Sequence, residues 1–297
     1  MTGNTWFISG ATSGFGKHIA LEALSRGDSV VATSRTATSK LSNLADQGAL
    51  LIDLDVTASD AEIQFAFDQA VSKFGGITHF INAAGYILEG PVEGASAEDI
   101  AKTFNVNVLG NMNLSRHEVA LLRKQGKGGV IANFGSLASW GGGPAYAYYC
   151  STKWAVSGFT ESLHAEVKEF GISGVVIEPG YFRTGFLNSS GGNRLFVSNA
   201  LTEEYKGTAV EQVRNVLNQV DNNQTGDVIK GSKVIVDVLT RTGVAEGKEI
   251  PMRLPLGPDI VKGIKDKIAQ TQQLLEEWEE IASSTDHDDV KKAQIGS

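Results

Sequence analysis

Tyr149 and Lys153 stand four residues apart in Tyr149-Cys150-Ser151-Thr152-Lys153. They fall within a helical pattern over Ala145–Phe170, so both side chains share one helix face. An ordinary phenol, with a pKa of about 10, carries protons poorly at neutral pH. A nearby ammonium favours the phenolate and would move the phenol toward the working range. Taken alone, the pair reads as a chance spacing on a structural helix. Ser136, in Asn133-Phe134-Gly135-Ser136, alters that balance because the fifth strand should end there. Strand ends in doubly wound sheets are where ligands bind. A serine hydroxyl at that point would hydrogen-bond a substrate oxygen while Tyr149 protonates it.

A second group of residues suits phosphate. Ser9-Gly10-Ala11-Thr12-Ser13-Gly14-Phe15-Gly16 follows a first apolar run and leads at once into a helical pattern. Small residues there let backbone N–H groups approach a pyrophosphate, which then sits on the helix N-terminus. The spacing is Gly-x-x-x-Gly-x-Gly rather than the common Gly-x-Gly-x-x-Gly. At the end of the second apolar run stand Ser34-Arg35-Thr36, with no carboxylate to hold a ribose 2′-hydroxyl. A guanidinium flanked by hydroxyls suits a 2′-phosphate, which predicts NADP(H) over NAD(H). A cationic nicotinamide docked beside Tyr149 would add to the pull on the phenol. Lys17 reads as a surface helix residue.

The elements that must position these groups alternate along the chain. Short apolar runs occur at Trp6-Phe7-Ile8, Val30-Val31-Ala32, Leu50-Leu51-Ile52, Phe80-Ile81, Val130-Ile131-Ala132 and Val175-Val176-Ile177. Their continuity, without polar alternation, predicts strands buried on both faces. Helical patterns lie between them at Gly16–Ser25, Ser59–Phe74, Ser96–Lys124 and Ala145–Phe170. Ser59 and Ser96 serve as N-caps with acidic residues in the turn that follows. The order predicts an α/β fold: a single doubly wound, Rossmann-type parallel sheet with helices on both faces. Beyond Gly180 the sequence predicts a mobile loop over Asn188–Asn193 and helices over Thr202–Val220 and Asp227–Thr240. Met252-Arg253-Leu254 adds a short edge strand. The whole chain, 1–297, reads as one dinucleotide-binding oxidoreductase domain. Residues 186–225 form a substrate-binding insert, and 268–297 an acidic C-terminal helix and tail.

Composition narrows the function. The 297 residues are 41% hydrophobic and 20% charged, an ordinary globular balance that argues against disorder. Net charge is −8, so non-specific nucleic-acid binding is not expected. Cys150 is the single cysteine, which removes disulfides and multi-cysteine metal sites. His18, His79, His117, His164 and His287 show no metal-ligand spacing, and no metal is expected. No apolar stretch is long enough to span a membrane, and the N-terminus leaves no room for a signal peptide, so a cytoplasmic location is expected. Glu276, Glu277, Glu279, Glu280, Asp286, Asp288 and Asp289 read as a solvated face and frayed terminus. Ser136 lacks the Gly-x-Ser-x-Gly elbow of a hydrolase. Cys150, Trp154 and Phe159 read as packing residues. Tyr86, Leu88, Trp140, Tyr146, Phe186, Leu187 and Phe196 predict an apolar substrate pocket.

These motifs together resemble the short-chain dehydrogenase/reductase family. The resemblance adds Asp55, Asn82-Ala83-Ala84-Gly85, Asn107 in Asn105-Val106-Asn107-Val108-Leu109-Gly110, and Pro179-Gly180-Tyr181-Phe182-Arg183-Thr184. Ala83 stands where the family commonly has a second asparagine, and Gly135 where it often has serine. The resemblance implies a catalytic tetrad of Asn107, Ser136, Tyr149 and Lys153. Tyr149 would be the acid/base, Ser136 would polarise the carbonyl, Lys153 would bind the nicotinamide ribose, and Asn107 would hold a proton-relaying water. It implies that Asp55 contacts adenine and that the main chain near Asn82, Ala83 and Gly85 approaches the ribose. Pro179, Gly180, the Phe182 backbone and Thr184 would flank the carboxamide and phosphates. The activity implied is NADPH-dependent reduction of a bulky, apolar ketone or aldehyde. The alternatives are an alcohol dehydrogenase working oxidatively on a steroid- or retinol-like substrate and a non-catalytic NADPH-binding regulator. A homodimer or homotetramer packed through Ser96–Lys124 and Ala145–Phe170 is also implied.

Overall fold

The computed structural model describes residues 3–191, 193–197 and 201–287. Its first half repeats strand and helix: β1 Thr5–Ser9, α1 Gly14–Ser25, β2 Ser29–Ser34, two single turns α2 Ala37–Lys40 and α3 Ser42–Ala45, then β3 Leu50–Asp53. There follow α4 Asp60–Phe74, β4 His79–Asn82, a short β5 Ile87–Glu89, α5 Ala97–Phe104, α6 Gly110–Gln125 and β6 Gly129–Phe134. The second half holds α7 Ala147–Val167, β7 Ile172–Pro179, β8 Arg194–Phe196, α8 Ala209–Val220, α9 Val228–Thr240, β9 Arg253–Leu256 and α10 Pro258–Ala282.

Seven strands form one parallel sheet in the order β3-β2-β1-β4-β6-β7-β9. The direction of winding reverses between β1 and β4, so the carboxyl ends of those strands open a crevice. Alternate residues explain the continuous apolar runs. Trp6, Ile8, Val30 and Ala32 enter the core shared with α1 and α9. Phe7, Val31, Ile52 and Phe80 enter the core on the opposite face, with Ile63 and Phe67 of α4 and Leu114 of α6. Phe67 meets Phe7 edge-on at 4.9 Å between ring centres, locking α4 to the sheet. Ser59 and Ser96 each close a capping box, with Glu62 and Asp99, as their sequence positions predict.

Several boundaries differ from expectation. The pattern over Ser96–Lys124 is two helices joined by a π-turn over Asn105–Leu109. The helix expected over Thr202–Val220 begins only at Ala209, after a single turn at Glu203–Tyr205 and Gly207 at φ +73°. The expected loop over Asn188–Asn193 contains one tight turn, Ser189–Gly191, while Gly192 lies outside the described residues. β5 and β8 pair into a separate two-stranded parallel sheet that tethers residues 186–225, a pairing of three-residue strands too short to show periodicity. The acidic helix starts at Pro258, ten residues before the expected boundary, because Gly257 at φ +110° ends the preceding strand and proline suits a first helical position. Asp288 and Asp289 lie outside the described residues.

Candidate active site

The carboxyl ends of the sheet strands floor a cleft of about 870 Å³. At one end lies the glycine-rich turn. Gly10 sits at φ +70°, and a Cβ there would come within 2.8 Å of the Ala84 amide nitrogen. A Cβ on Gly16 would meet the Gly10 carbonyl oxygen at 2.5 Å. The turn therefore admits only glycine at these two contacts. Ser13 occupies the N-cap of α1, yet its side chain makes no cap, and no acidic residue stands in the first turn. The opening N–H groups of α1 thus lack a side-chain acceptor and border the cleft at Thr12, Ser13, Gly14 and Phe15. Phe15 packs on Phe182, 5.0 Å between ring centres, joining this turn to the segment after β7.

Ser34 and Arg35 line the cleft at the end of β2, and Arg35 is exposed with no ion pair among the described residues. Thr36 is exposed and outside the lining. Asp53, level with Ser34 on the neighbouring strand, is occupied by the Thr38 amide at 2.9 Å and the Thr38 hydroxyl at 2.6 Å. Asp55, Ala83, Gly85, Pro179, Gly180, Phe182 and Thr184 also line the cleft. Asn82 does not: its amide donates inward to Glu118 at 3.0 Å and to Asn133 at 2.9 Å. Phe182 bridges to Gly226, whose amide donates to Tyr181 and whose carbonyl accepts from Arg183. That pattern leaves the peptide of Phe182 itself outside the bridge.

Ser136, Tyr149 and Lys153 come together on the cleft wall. The helix α7 carries Tyr149 and Lys153 one turn apart, and Ser136 follows β6. The Ser136 hydroxyl accepts from the Ala138 amide at 3.1 Å, which fixes its position. Lys153 Nζ donates to the Phe134 carbonyl at 2.7 Å and lies 5.7 Å from the centre of the Tyr149 ring. One of the amine's three donors is thus used by the strand end, and none is bonded to the phenol. Burial pushes Tyr149 above its ordinary value, with the Ser136 hydroxyl beside it acting the other way. Burial likewise pushes Lys153 down to about 8. The expectation that the amine lowers the phenol is not met in the protein alone: burial raises it, and the group that acts the other way is the Ser136 hydroxyl rather than Lys153. Asn107 is fully buried behind this wall, on the π-turn. Its amide donates to the Tyr86 carbonyl at 2.8 Å and its oxygen accepts from the Tyr86 amide at 3.1 Å. Gly85 fits between the groups: a Cβ there would lie 3.2 Å from Asn107 Oδ1.

The far end of the cleft is apolar, lined by Tyr86, Trp140, Tyr146, Phe186 and Leu187. Trp140 is held by its indole N–H, which donates to buried Glu178 at 2.9 Å, and by Arg253 stacked 3.9 Å above the ring. Leu88 and Phe196 instead line a smaller cavity that shares Tyr86, Lys102 and Leu195 with the cleft. Cys150 is buried, with its thiol raised by burial to about 11 and set 3.6 Å from the Gly141 carbonyl. Neither Trp154 nor Phe159 reaches the cleft; Phe159 packs on the core, whereas Trp154 is 46% exposed.

Sequence reasoning did not find Leu217, Gln224, or the α10 residues Gly263, Asp266, Lys267 and Gln270, all of which line the cleft. Gln224 is 3% exposed, and both polar atoms of its side chain lack a protein partner. No spacing marks it, since it meets this wall from 41 positions beyond Arg183, whose guanidinium donates to its carbonyl.

Comparison with known proteins agrees with this geometry. The profile described as short chain dehydrogenase matches residues 4–194. The "Oxidoreductase BOA17" of Botryotinia fuckeliana is 32% identical over 280 residues, covering 93% of this chain and 97% of its own. The "Uncharacterized oxidoreductase YusZ" of Bacillus subtilis is 31% identical over 266 residues, 87% of this chain and 89% of its own. The crystal structure of a short-chain dehydrogenase from Streptomyces avermitilis superposes with a TM-score of 0.83 at 28% identity, covering 96% of this chain and 100% of that one. With the glycine-rich turn, the parallel sheet and this sequence match in hand, the chain belongs to the short chain dehydrogenase family and is an oxidoreductase of that type.

Proposed function

We propose that the protein reduces a bulky, largely apolar ketone or aldehyde with NADPH, with Tyr149 as proton donor. The observation that carries this reading is the meeting of Ser136, Tyr149 and Lys153 in the same cleft as the uncapped N-terminus of α1. That N-terminus and the Gly10–Gly16 turn fit a dinucleotide diphosphate, because backbone donors stand free where a Cβ would not fit. Arg35 fits the 2′-phosphate, and the unbridged peptide of Phe182 fits the carboxamide. When bound, a reduced nicotinamide supplies the hydride.

The chain's own residues supply placement and the proton. The Tyr149 phenol holds its proton at neutral pH and faces the cleft beside Ser136. Burial raises its pKa in the protein alone, and beside a docked nicotinamide, cationic once oxidised, it would be drawn back toward the working range of a donor to a carbonyl oxygen. Ser136 orients and polarises that oxygen, its own geometry set by the Ala138 amide. Lys153, anchored on the Phe134 carbonyl, holds the ribose side and replenishes the phenol's proton, with Asn107 ordering the peptide of Tyr86 behind it. Trp140, Phe186 and Leu187 exclude water around the substrate. Residues 186–225 carry much of that wall.

The test is Tyr149→Phe, assayed by NADPH consumption across a panel of ketones, aldehydes and quinones. Turnover should fall by about 10²–10⁴, the usual size of a positioned acid's contribution. NADPH affinity, followed by cofactor fluorescence, should be retained. Near-normal turnover in this variant would overturn the mechanism.

A further inference from the structure

We propose that the exposed face of α10 is a self-association surface that pairs antiparallel with α10 of a second copy of this chain. The first turns of the helix rest on the body of the protein. Ile260 is buried, Gly263 lies against Leu137, and Lys267 sits over the ring of Trp154. From Ile268 onward every residue of α10 is exposed. Exposed residues on a helix are ordinarily polar, but here they include Ile268 at 61%, Leu274 at 57%, Leu275 at 53%, Trp278 at 50% and Ile281 at 62%. Val261, Ile268, Leu275 and Ala282 recur every seven residues, with Ile264 and Trp278 between them, which is the repeat of a helix–helix seam. An isolated helix of about 15 residues is marginal in water, so such a segment gains from a partner.

The charge pattern selects the occupant and its direction. Lys262, Lys265 and Lys267 lie in the first half of α10; Glu276, Glu277, Glu279 and Glu280 lie in the second, which carries no Lys or Arg. Lys262 is already paired with Asp266 at 2.5 Å, while Lys265 has no ion pair among the described residues. A two-fold axis crossing the helix near Gln272 lays the acidic half of one copy along the basic half of the other and sets Lys265 opposite Glu279. A parallel pair would bring the two acidic halves together, and an anionic bilayer would be repelled by them. Covering five large side chains per copy, each at least half exposed, removes on the order of 1,000 Å² in total, the lower edge of a specific interface. The association is therefore reversible and concentration-dependent. It also steadies one wall of the cleft, since Gly263, Asp266, Lys267 and Gln270 belong to the same helix.

Sedimentation velocity of the full chain over about 1–100 μM reads the association directly. The wild type should show a concentration-dependent doubling of its mass, whatever its smallest assembly. The double variant Leu275→Glu/Trp278→Glu should lose that doubling, and neither residue lines the cleft. Lys265→Glu should weaken it about fivefold, and adding Glu279→Lys to the same chain should restore it, because each copy then presents both swapped charges. Equal mass distributions in the wild type and the double variant would overturn the proposal. So would failure of the charge swap to restore association. Binding of the wild type to phosphatidylcholine vesicles at unchanged mass, lost in the double variant, would overturn it in favour of a lipid surface.

Discussion

Arg35 is the side chain on which the proposed choice of NADPH over NADH rests. It is exposed at the end of β2, unpaired among the described residues, and the nearby carboxylate of Asp53 is taken up by Thr38. An arginine so placed favours a 2′-phosphate by charge and bidentate donation, and a carboxylate in its place would repel one. Arg35→Asp should therefore raise the NADH over NADPH ratio of kcat/KM by about ten- to a hundredfold, the range of one lost charged hydrogen bond pair. Steady-state kinetics with both cofactors would show it, and a wild type that prefers NADH would contradict the assignment. Tyr149 and Lys153 make a different point. Their relation by helix spacing was legible in the sequence, but burial moves the Tyr149 titration up and the Lys153 titration down, and burial is a property of the folded wall around them.

Among the elements, the segment between β7 and α9 is held to β5 by a buried ion cluster rather than by long strands. Glu89 of β5 accepts from Arg194 of β8 at 2.6 Å and from Arg214 of α8 at 2.6 Å. Both guanidinium groups flank the ring of Phe196, and Arg194 also donates to Asn218 at 2.8 Å. Glu89 and Arg194 are almost wholly buried, so removing the carboxylate leaves a buried cation without its partner. Glu89→Ala should cost about 3–5 kcal/mol of stability, readable by urea denaturation. If the insert opens before the rest, the KM for the carbonyl substrate should rise while NADPH affinity changes little. Replacement of Glu89 without loss of stability would show that the cluster is not what fastens this segment. The cluster was invisible to sequence reasoning because Glu89 and Arg214 stand 125 positions apart.

Across the whole molecule, two buried titratable groups shape the dependence of stability on pH. Glu118 is enclosed beneath the sheet, where burial raises its carboxyl to about 8 despite donation from Asn82. Its folded form binds a proton that the unfolded chain has released above its ordinary value of 4.5, so stability falls as pH rises from there to about 8. His79, stacked on Trp6 and bonded to the Leu239 carbonyl, is lowered by burial to about 4. Its neutral folded form loses stability as pH falls from 6.5 toward 4. The opposing slopes cancel between about 4.5 and 6.5 and leave the Glu118 loss alone from 6.5 to 8. Thermal denaturation should show a plateau followed by a decline worth about 2 kcal/mol by pH 8. Glu118→Gln should remove that decline, and a decline that persists in this variant would assign it to other groups.

Local chemistry in the sequence determined the parallel sheet, the capped helices and the glycine-rich turn. Runs such as Trp6-Phe7-Ile8 must bury both faces, Ser59 and Ser96 must cap, and Gly10 must sit where no side chain fits. The same locality placed Tyr149 and Lys153 on one face of a helix and Ser136 at a strand end. Only the tertiary structure decided that Asn82 turns inward, that Thr36, Leu88 and Phe196 stand outside the main cleft, and that Gln224 and α10 close it. Those outcomes depend on contacts between segments far apart in the chain, and on desolvation, which no spacing encodes. The titration of the tyrosine and the lysine belongs to the same class: spacing supplies the neighbours, and the depth at which they are enclosed moves the pH at which each one changes form.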